Sequence, residues 1–228
     1  MNTALILAGG AGTRLGGNLP KQYIEVAGRP VISYCLDIFE KHPDVDALRI
    51  VAGESWHGSI SGWTGKKFRG FSRPGQNRQL SILNGLEDIL AGGEEGDLVI
   101  IHDGARPVVT ARLIAECIEA CKGHEGAMPA LPMKDTVYAS RDGRKISALL
   151  DRGSIYAGQA PEVFKLGAYY EANRKLLPEK ILKINGSAEP AVLAGMDIAM
   201  IPGDENNFKI TTRADLERFR RLVEEKRL

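Results

Sequence analysis

Apolar positions along this chain fall into two alternating patterns. Largely apolar runs close to strand length occupy residues 3–8, 48–52 (interrupted by Arg49), 98–101, 126–131 and 198–201. Between them, apolar residues return every three or four positions: Val31, Tyr34, Cys35 and Ile38, then Ile82, Leu86, Ile89 and Leu90, then Leu113, Ile114, Cys117 and Ile118. The first pattern predicts strands buried on both faces and the second predicts amphipathic helices. Residues 165–176 and the stretch through Leu216, Phe219 and Leu222 read as further helices. Start signals agree: Pro30 suits a first helical turn, Thr110 suits an N-cap, and Thr212 with Asp215 resembles a capping box. Strands alternating with helices predict an α/β fold built on a parallel sheet.

The alternation breaks after residue 133. Strand-like runs at 136–138 and 145–150 flank Arg141-Asp142-Gly143-Arg144, and Asp-Gly between such runs predicts a β-hairpin. A hairpin with few neighbours is marginal by itself, so one that projects from the body is expected to be covered by another subunit. Residues 155–157 and 159–164 follow the pattern of a strand and then an x-Pro-x-x-Phe turn. The stretch 54–65 has no clear period, and Trp56 and Trp63 are expected to pack at the sheet edge.

Composition narrows the class. The 228 residues are enough for one large domain with a core, 43% are hydrophobic and 26% charged. Thirty Lys and Arg against 29 Asp and Glu leave a net charge of +1, so no overall field recruits nucleic acid or an anionic membrane. No run reaches the ~18 apolar residues of a membrane span and the start lacks a basic signal region, which predicts a cytoplasmic protein. Three cysteines make an odd count without a secretion signal, so no disulfide framework is expected. Cys117, Cys121 and His124 could share a helix face, but the cysteines read as small buried hydrophobes.

Candidate chemistry lies where apolar runs end. The first stops at Gly9-Gly10-Ala11-Gly12 and the chain reaches Pro20-Lys21 through a loop rich in small residues. Glycines let backbone N–H groups approach phosphate oxygens, and Arg14 and Lys21 add charge on either side. The spacing is neither that of the dinucleotide fingerprint nor that of the P-loop. A second glycine loop, Arg73-Pro74-Gly75-Gln76-Asn77-Arg78, leads into a helix carrying Ser81. It reads either as a loop that offers exposed backbone and the donors of Gln76, Asn77, Arg78 and Ser81 to a ligand, or as a capped helix start and no more. The run 98–101 delivers His102-Asp103-Gly104-Ala105-Arg106-Pro107 at its carboxyl end, where ligands of parallel sheets bind. Asp103 is the candidate Mg2+ ligand, Gly104 a close approach to a nucleotide and Arg106 a phosphate clamp. His102 is expected to pack.

Residues 8–15 with Pro20-Lys21-Gln22 resemble the signature loop of sugar-phosphate nucleotidyltransferases. The Pro-Lys-Gln is similar to that of the 2-C-methyl-D-erythritol 4-phosphate cytidylyltransferases and their ribitol 5-phosphate relatives. His-Asp-Gly-Ala-Arg-Pro is similar to a second hallmark of this family, and Asn207-Phe208-Lys209-Ile210-Thr211 to its Asn-x-Lys-x-Thr string. The resemblance implies a three-layer α/β/α Rossmann-like fold with a mostly parallel sheet, one domain over residues 1–228 and a projecting β-arm at about 133–158 through which homodimers form. It implies CTP and a small polyol phosphate as substrates, with Mg2+ at Asp103. Arg14, Lys21 and Lys209 are the implied catalytic residues. Leu7, Ala8, Gly9, Gly10, Gly12, Gly75, Gln76, Ser81 and Gly104 would bind the nucleotide, and Arg106, Thr136 and Arg152 the acceptor.

One segment departs from the family pattern. Where its members carry Thr-Asp-Glu/Asp-x-Ser, this chain has Asn185-Gly186-Ser187-Ala188-Glu189 without the paired acids. The acceptor therefore stays open between methylerythritol phosphate, toward which the second hallmark leans, and ribitol 5-phosphate, toward which Ala-Gly-Gly leans. A guanylyl- or uridylyltransferase is a wider rival. A catalytically silent nucleotide-binding regulator is the alternative of another class, and the joint presence of Lys21, Asp103 and Lys209 argues against it.

Overall fold

The computed structural model describes residues 1–10 and 19–225. The expectations for Gly12 and Arg14 lie outside the described residues. In chain order, β1 (Asn2–Leu7) leads past the signature loop to a short β2 (Glu25–Val26) and β3 (Arg29–Pro30) pair and then α1 (Val31–Lys41). β4 (Ala47–Val51), the short α2 (His57–Ser61), β5 (Phe68–Ser72), α3 (Arg78–Leu90), β6 (Leu98–Asp103), α4 (Ala111–Cys121) and β7 (Gly126–Pro132) follow. The arm strands β8 (Val137–Ala139) and β9 (Ala148–Leu150) come next, then β10 (Tyr156–Gly158), β11 (Glu162–Lys165), α5 (Leu166–Arg174), α6 (Glu189–Leu193), β12 (Ile198–Pro202) and α7 (Arg213–Glu224).

Among the described residues, eight strands share one sheet. β5, β4, β1 and β6 lie side by side and all parallel, with β1 at the centre of this half. Ala4, Leu5 and Ile6 of β1 are fully buried because helices cover both faces. Side chains alternate across a strand. Ala4 and Ile6 accordingly join the core formed with α1 and α4, and Leu5 joins the core formed with α3 and α5. This gives the expected three layers. A smaller cluster around Val31, Ile210 and Phe219 seats α7, whose start carries the full Thr212–Asp215 capping box.

Two features differ from the sequence reading. Where a turn is expected over 159–164, Glu162–Lys165 form β11, which enters antiparallel between β6 and β7 of a sheet that is mostly parallel, as expected. The apolar part of this stretch, Val163-Phe164, is too short to show a period, so its pairing with β6 and β7 leaves no signal in the sequence. The arm hairpin is also looser than Asp142-Gly143 suggested, since its strands stop at Ala139 and restart at Ala148. Asp142 Oδ1 accepts from the backbone N–H groups of Arg144 and Lys145, a local turn that displaces the tight two-residue connection. Tyr138, Ile146 and Leu149 stand exposed on this arm. Among the described residues no helix is long and apolar enough to cross a membrane.

Candidate active site

Val51, Leu7 and Asp103 occupy one row across β4, β1 and β6, each at the carboxyl end of its strand. They form the floor of a cleft of about 440 Å3. Three stretches distant in sequence close around it.

The first is the start of the glycine loop. Gly9 and Gly10 line the cleft, while the Ala8 backbone is engaged inside the fold: its N–H donates to Val51 O (2.8 Å) and its carbonyl accepts from Gln22 Nε2 (2.6 Å) and Tyr23 Oη (2.9 Å). Gln22 Nε2 donates also to Gly10 O at 2.8 Å, so this buried amide pins the loop from below. Lys21, on the same short 3-10 turn as Gln22, is thereby held at the cleft wall. The role of Gln22 was not foreseen, although its place in Pro20-Lys21-Gln22 was the available signal.

The second stretch is the Gly75 loop. Ser81 Oγ accepts from Gly75 N (2.9 Å) and donates to Asn77 O (2.8 Å), while Asn77 Oδ1 caps α3 by accepting from Leu80 N (2.8 Å). A Cβ at residue 75 would lie 2.4 Å from Leu80 Cβ, so only glycine permits this turn. The segment is a capped helix start, and its residues also line the cleft. The Ser81 hydroxyl is spent on shaping the loop, and Gln76 faces the opening.

The third is the end of β6. The Asp103 side chain, 10% exposed, meets three cations. Arg78 Nη2 lies 3.1 Å from Oδ1, Lys209 Nζ 3.0 Å from Oδ2, and Arg106 Nε 3.5 Å from Oδ2. Burial alone would raise the carboxyl, but the charges of Arg78, Lys209 and Arg106 overcome it and hold Asp103 well below the usual carboxylate range. Arg78, foreseen only as a donor of its loop, is the link between α3 and Asp103. His102, fully buried, stays neutral because burial pushes its imidazole down to about 4, and its Nε2 meets Arg106 O at 3.0 Å.

Four expected site residues stand elsewhere. Gly104 is buried below the rim, where its N–H donates to Leu7 O (2.9 Å) and ties β6 to β1. A Cβ there would lie 3.2 Å from Ile32, so the close approach is to the fold itself. Arg106 points inward, its Nη1 donating to Asn207 O (2.7 Å) beside the Asp103 contact. Thr136 and Arg152 are exposed on the arm, where Arg152 Nη1 donates to Lys134 O (2.8 Å), and neither lines the cleft of its own chain. Cys117 and Cys121 are buried on α4, their thiols pushed up by burial to about 12 and about 11, while the exposed His124 pairs with Asp197 at 2.7 Å.

Chemically, the cleft presents Lys21, Arg78 and Lys209 with glycine-loop backbone and one carboxylate. Among the described residues that line it there is no histidine or cysteine. Such a lining suits transfer between polyanions held in place. Sheet, glycine loop and cationic cleft together define an α/β nucleotidyltransferase.

Comparison with known proteins narrows the class. The family model for IspD, 2-C-methyl-D-erythritol 4-phosphate cytidylyltransferase, matches residues 2–225, and the chain belongs to this family. It is 38% identical over 216 residues to the 2-C-methyl-D-erythritol 4-phosphate cytidylyltransferase of Rubrobacter xylanophilus, covering 93% of this chain and 90% of that protein. It is also 28% identical to a ribitol-5-phosphate cytidylyltransferase of Lacticaseibacillus paracasei over the full length of both. A crystal structure of 4-diphosphocytidyl-2C-methyl-D-erythritol synthase superposes with a TM-score of 0.82 at 28% identity, covering 97% of this chain and 98% of the other.

Proposed function

We propose that this protein transfers the cytidylyl group of CTP to the phosphate of 2-C-methyl-D-erythritol 4-phosphate and releases pyrophosphate, a step of isoprenoid precursor synthesis in the cytoplasm. The observation that carries the reading is the convergence of Lys21, Arg78, Asp103 and Lys209 on one cleft in a chain of this family.

A phosphate monoester, with its second pKa about 6, is already mostly dianionic at neutral pH and needs no general base. An acceptor phosphate oxygen bonds to the α-phosphorus as the bond to the bridging α,β-oxygen breaks, and the electron pair leaves with pyrophosphate. Two anions must meet for this, so the task of the side chains is to offset charge and align the oxygens. Lys21 and Lys209 flank the triphosphate, the Gly9 and Gly10 backbone cradles it, and the Gly75–Ser81 loop takes the cytidine. Arg106 keeps Asp103 in place from behind.

Asp103 is a lone hard-oxygen donor, and no group of three or more His, Cys, Asp or Glu that could hold a metal occurs among the described residues. Mg2+ is commonly held by one or two carboxylates together with substrate phosphates. This donor set therefore fits a cation that arrives with the nucleotide. There it would neutralise phosphate charge.

The exposed apolar arm supports a homodimer in which Thr136 and Arg152 serve the cleft of the partner. Pyrophosphate release from CTP, measured with methylerythritol phosphate and with ribitol 5-phosphate, tests the function. Preference for the former is expected. Preference for the latter reassigns the acceptor, and CTP binding without turnover on either makes the protein a regulator.

A further inference from the structure

Lys209 reaches the cleft from a stretch that no regular element holds, since residues 203–212, between β12 and α7, form neither helix nor strand. Where its ammonium rests therefore depends on what fastens the chain on either side. On the far side Ile210 is fully buried in the cluster that seats α7, and its N–H donates to Ala105 O (2.8 Å). On the near side Asn207 is fully buried. Its Nδ2 donates to Ala160 O (2.6 Å) and its carbonyl accepts from Arg106 Nη1 (2.7 Å).

The near-side anchor leads to a buried residue with no role so far. Gln159, 7% exposed, directly follows β10, and its own N–H donates to Pro129 O on β7 (2.8 Å). Its side-chain amide is spent on the turn before Lys209: Oε1 accepts from Asp204 N (3.0 Å), and Nε2 donates to Asp204 O (2.9 Å) and to Asn207 O (3.4 Å). Asp204 O accepts also from Asn207 N (3.0 Å), so the turn closes on this amide. Meeting an N–H and a C=O at once takes a donor and an acceptor on one side chain, which a carboxylate or an ammonium lacks.

We propose that Gln159 is a positioning residue for the transfer: by clamping the 204–207 turn to β7 it fixes the near-side anchor of Lys209 and so holds the ammonium in place, 3.0 Å from Asp103. This rests on the reading of the cleft as the CTP site. Gln159, Asp204 and Asn207 do not line the cleft, so the clamp acts through Lys209 and touches no substrate. With the clamp open Lys209 is still tethered at Ile210, and the loss is partial. A shift of about 1 Å at a reacting site costs up to about 100-fold in rate.

Gln159→Met keeps the length and removes both polar atoms, while Gln159→Glu keeps the acceptor for Asp204 N and loses the donor. In either folded variant, steady-state kinetics with CTP and methylerythritol phosphate are expected to show kcat lower by about 10–100-fold, with CTP affinity changed far less. A lowered unfolding midpoint with kcat unchanged is what a merely structural role gives, and it overturns the proposal. In a Lys209→Ala background Gln159→Met is expected to lower the residual turnover much less, and an undiminished effect also overturns it. If wild-type protein turns over no CTP, the reading of the cleft fails separately. The NMR signal of the Lys209 ammonium in ligand-free protein, assigned by its loss in Lys209→Arg, then decides the clamp: a shift in the Gln159 variants supports it and an unmoved signal refutes it.

Discussion

Replacing Asp103 by Asn removes one charge and almost no volume from the centre of the site. Three cations stand 3.0, 3.1 and 3.5 Å from its oxygens. At an effective dielectric of 20 each such pair is worth about 4 kcal/mol at 4 Å before the cost of desolvation. Arg78, Arg106 and Lys209 would then repel one another with no anion between them. Breaking a fully buried pair costs about 3–5 kcal/mol, and because Arg78 and Lys209 keep 31% and 29% side-chain exposure at the cleft the cost here lies at the low end, about 3 kcal/mol. For a domain of this size that is a fall in Tm of about 10 °C. The pH dependence has a definite sign. The folded Asp103 carboxyl lies below its unfolded value of about 3.9, so its contribution is complete above about pH 4 and fades as pH falls further. Urea unfolding of wild type and Asp103→Asn from neutral to acid pH measures both quantities. A difference under about 1 kcal/mol at pH 7, or one that does not narrow in acid, would refute the picture of a carboxylate neutralising three cations.

Other consequences are equally open to test. Lys21→Ala is expected to lower kcat by about 10²–10³-fold while CTP affinity changes far less, as loss of a well-aimed charged donor would; equal losses in steady-state kinetics and CTP titration would contradict this. Asp215, which accepts from Thr211 and Thr212, is held down to about 2 by those bonds against the opposing effect of burial. Its capping contribution should amount to about 1–2 kcal/mol above pH 4 and disappear as pH falls through 2, with Asp215→Ala losing it at all pH values; denaturation curves that coincide at pH 7 would exclude it. If the arms cross between subunits, mixing inactive Lys21→Ala with inactive Arg152→Ala should restore turnover, since some mixed dimers hold an intact site. Mixtures as inactive as their components would exclude crossing arms.

Much of the fold could be read from apolar pattern alone. Solid runs such as Leu98-Val99-Ile100-Ile101 have one physical solution, a strand buried on both faces, and its carboxyl end then delivers Asp103 to the rim. Lys21, Gly75, Gln76 and Lys209 came together as expected because their loops follow or precede such strands and helices. What could not be read depends on pairing across the sheet. The apolar part of β11 is too short to show a period, so its antiparallel entry between β6 and β7 leaves no trace in the sequence. Arg106 and Gly104 sit in a recognisable string, but where the Arg106 side chain turns and what the backbone of Gly104 packs against are settled by Asn207 and Ile32, far away in sequence.

The most direct test is a crystal structure with CTP bound. The triphosphate should lie over Gly9 and Gly10 between the Lys21 and Lys209 ammonium groups, with the cytidine against the Gly75–Ser81 loop. Nucleotide density outside this cleft, or a triphosphate pointing away from Lys21, would contradict it.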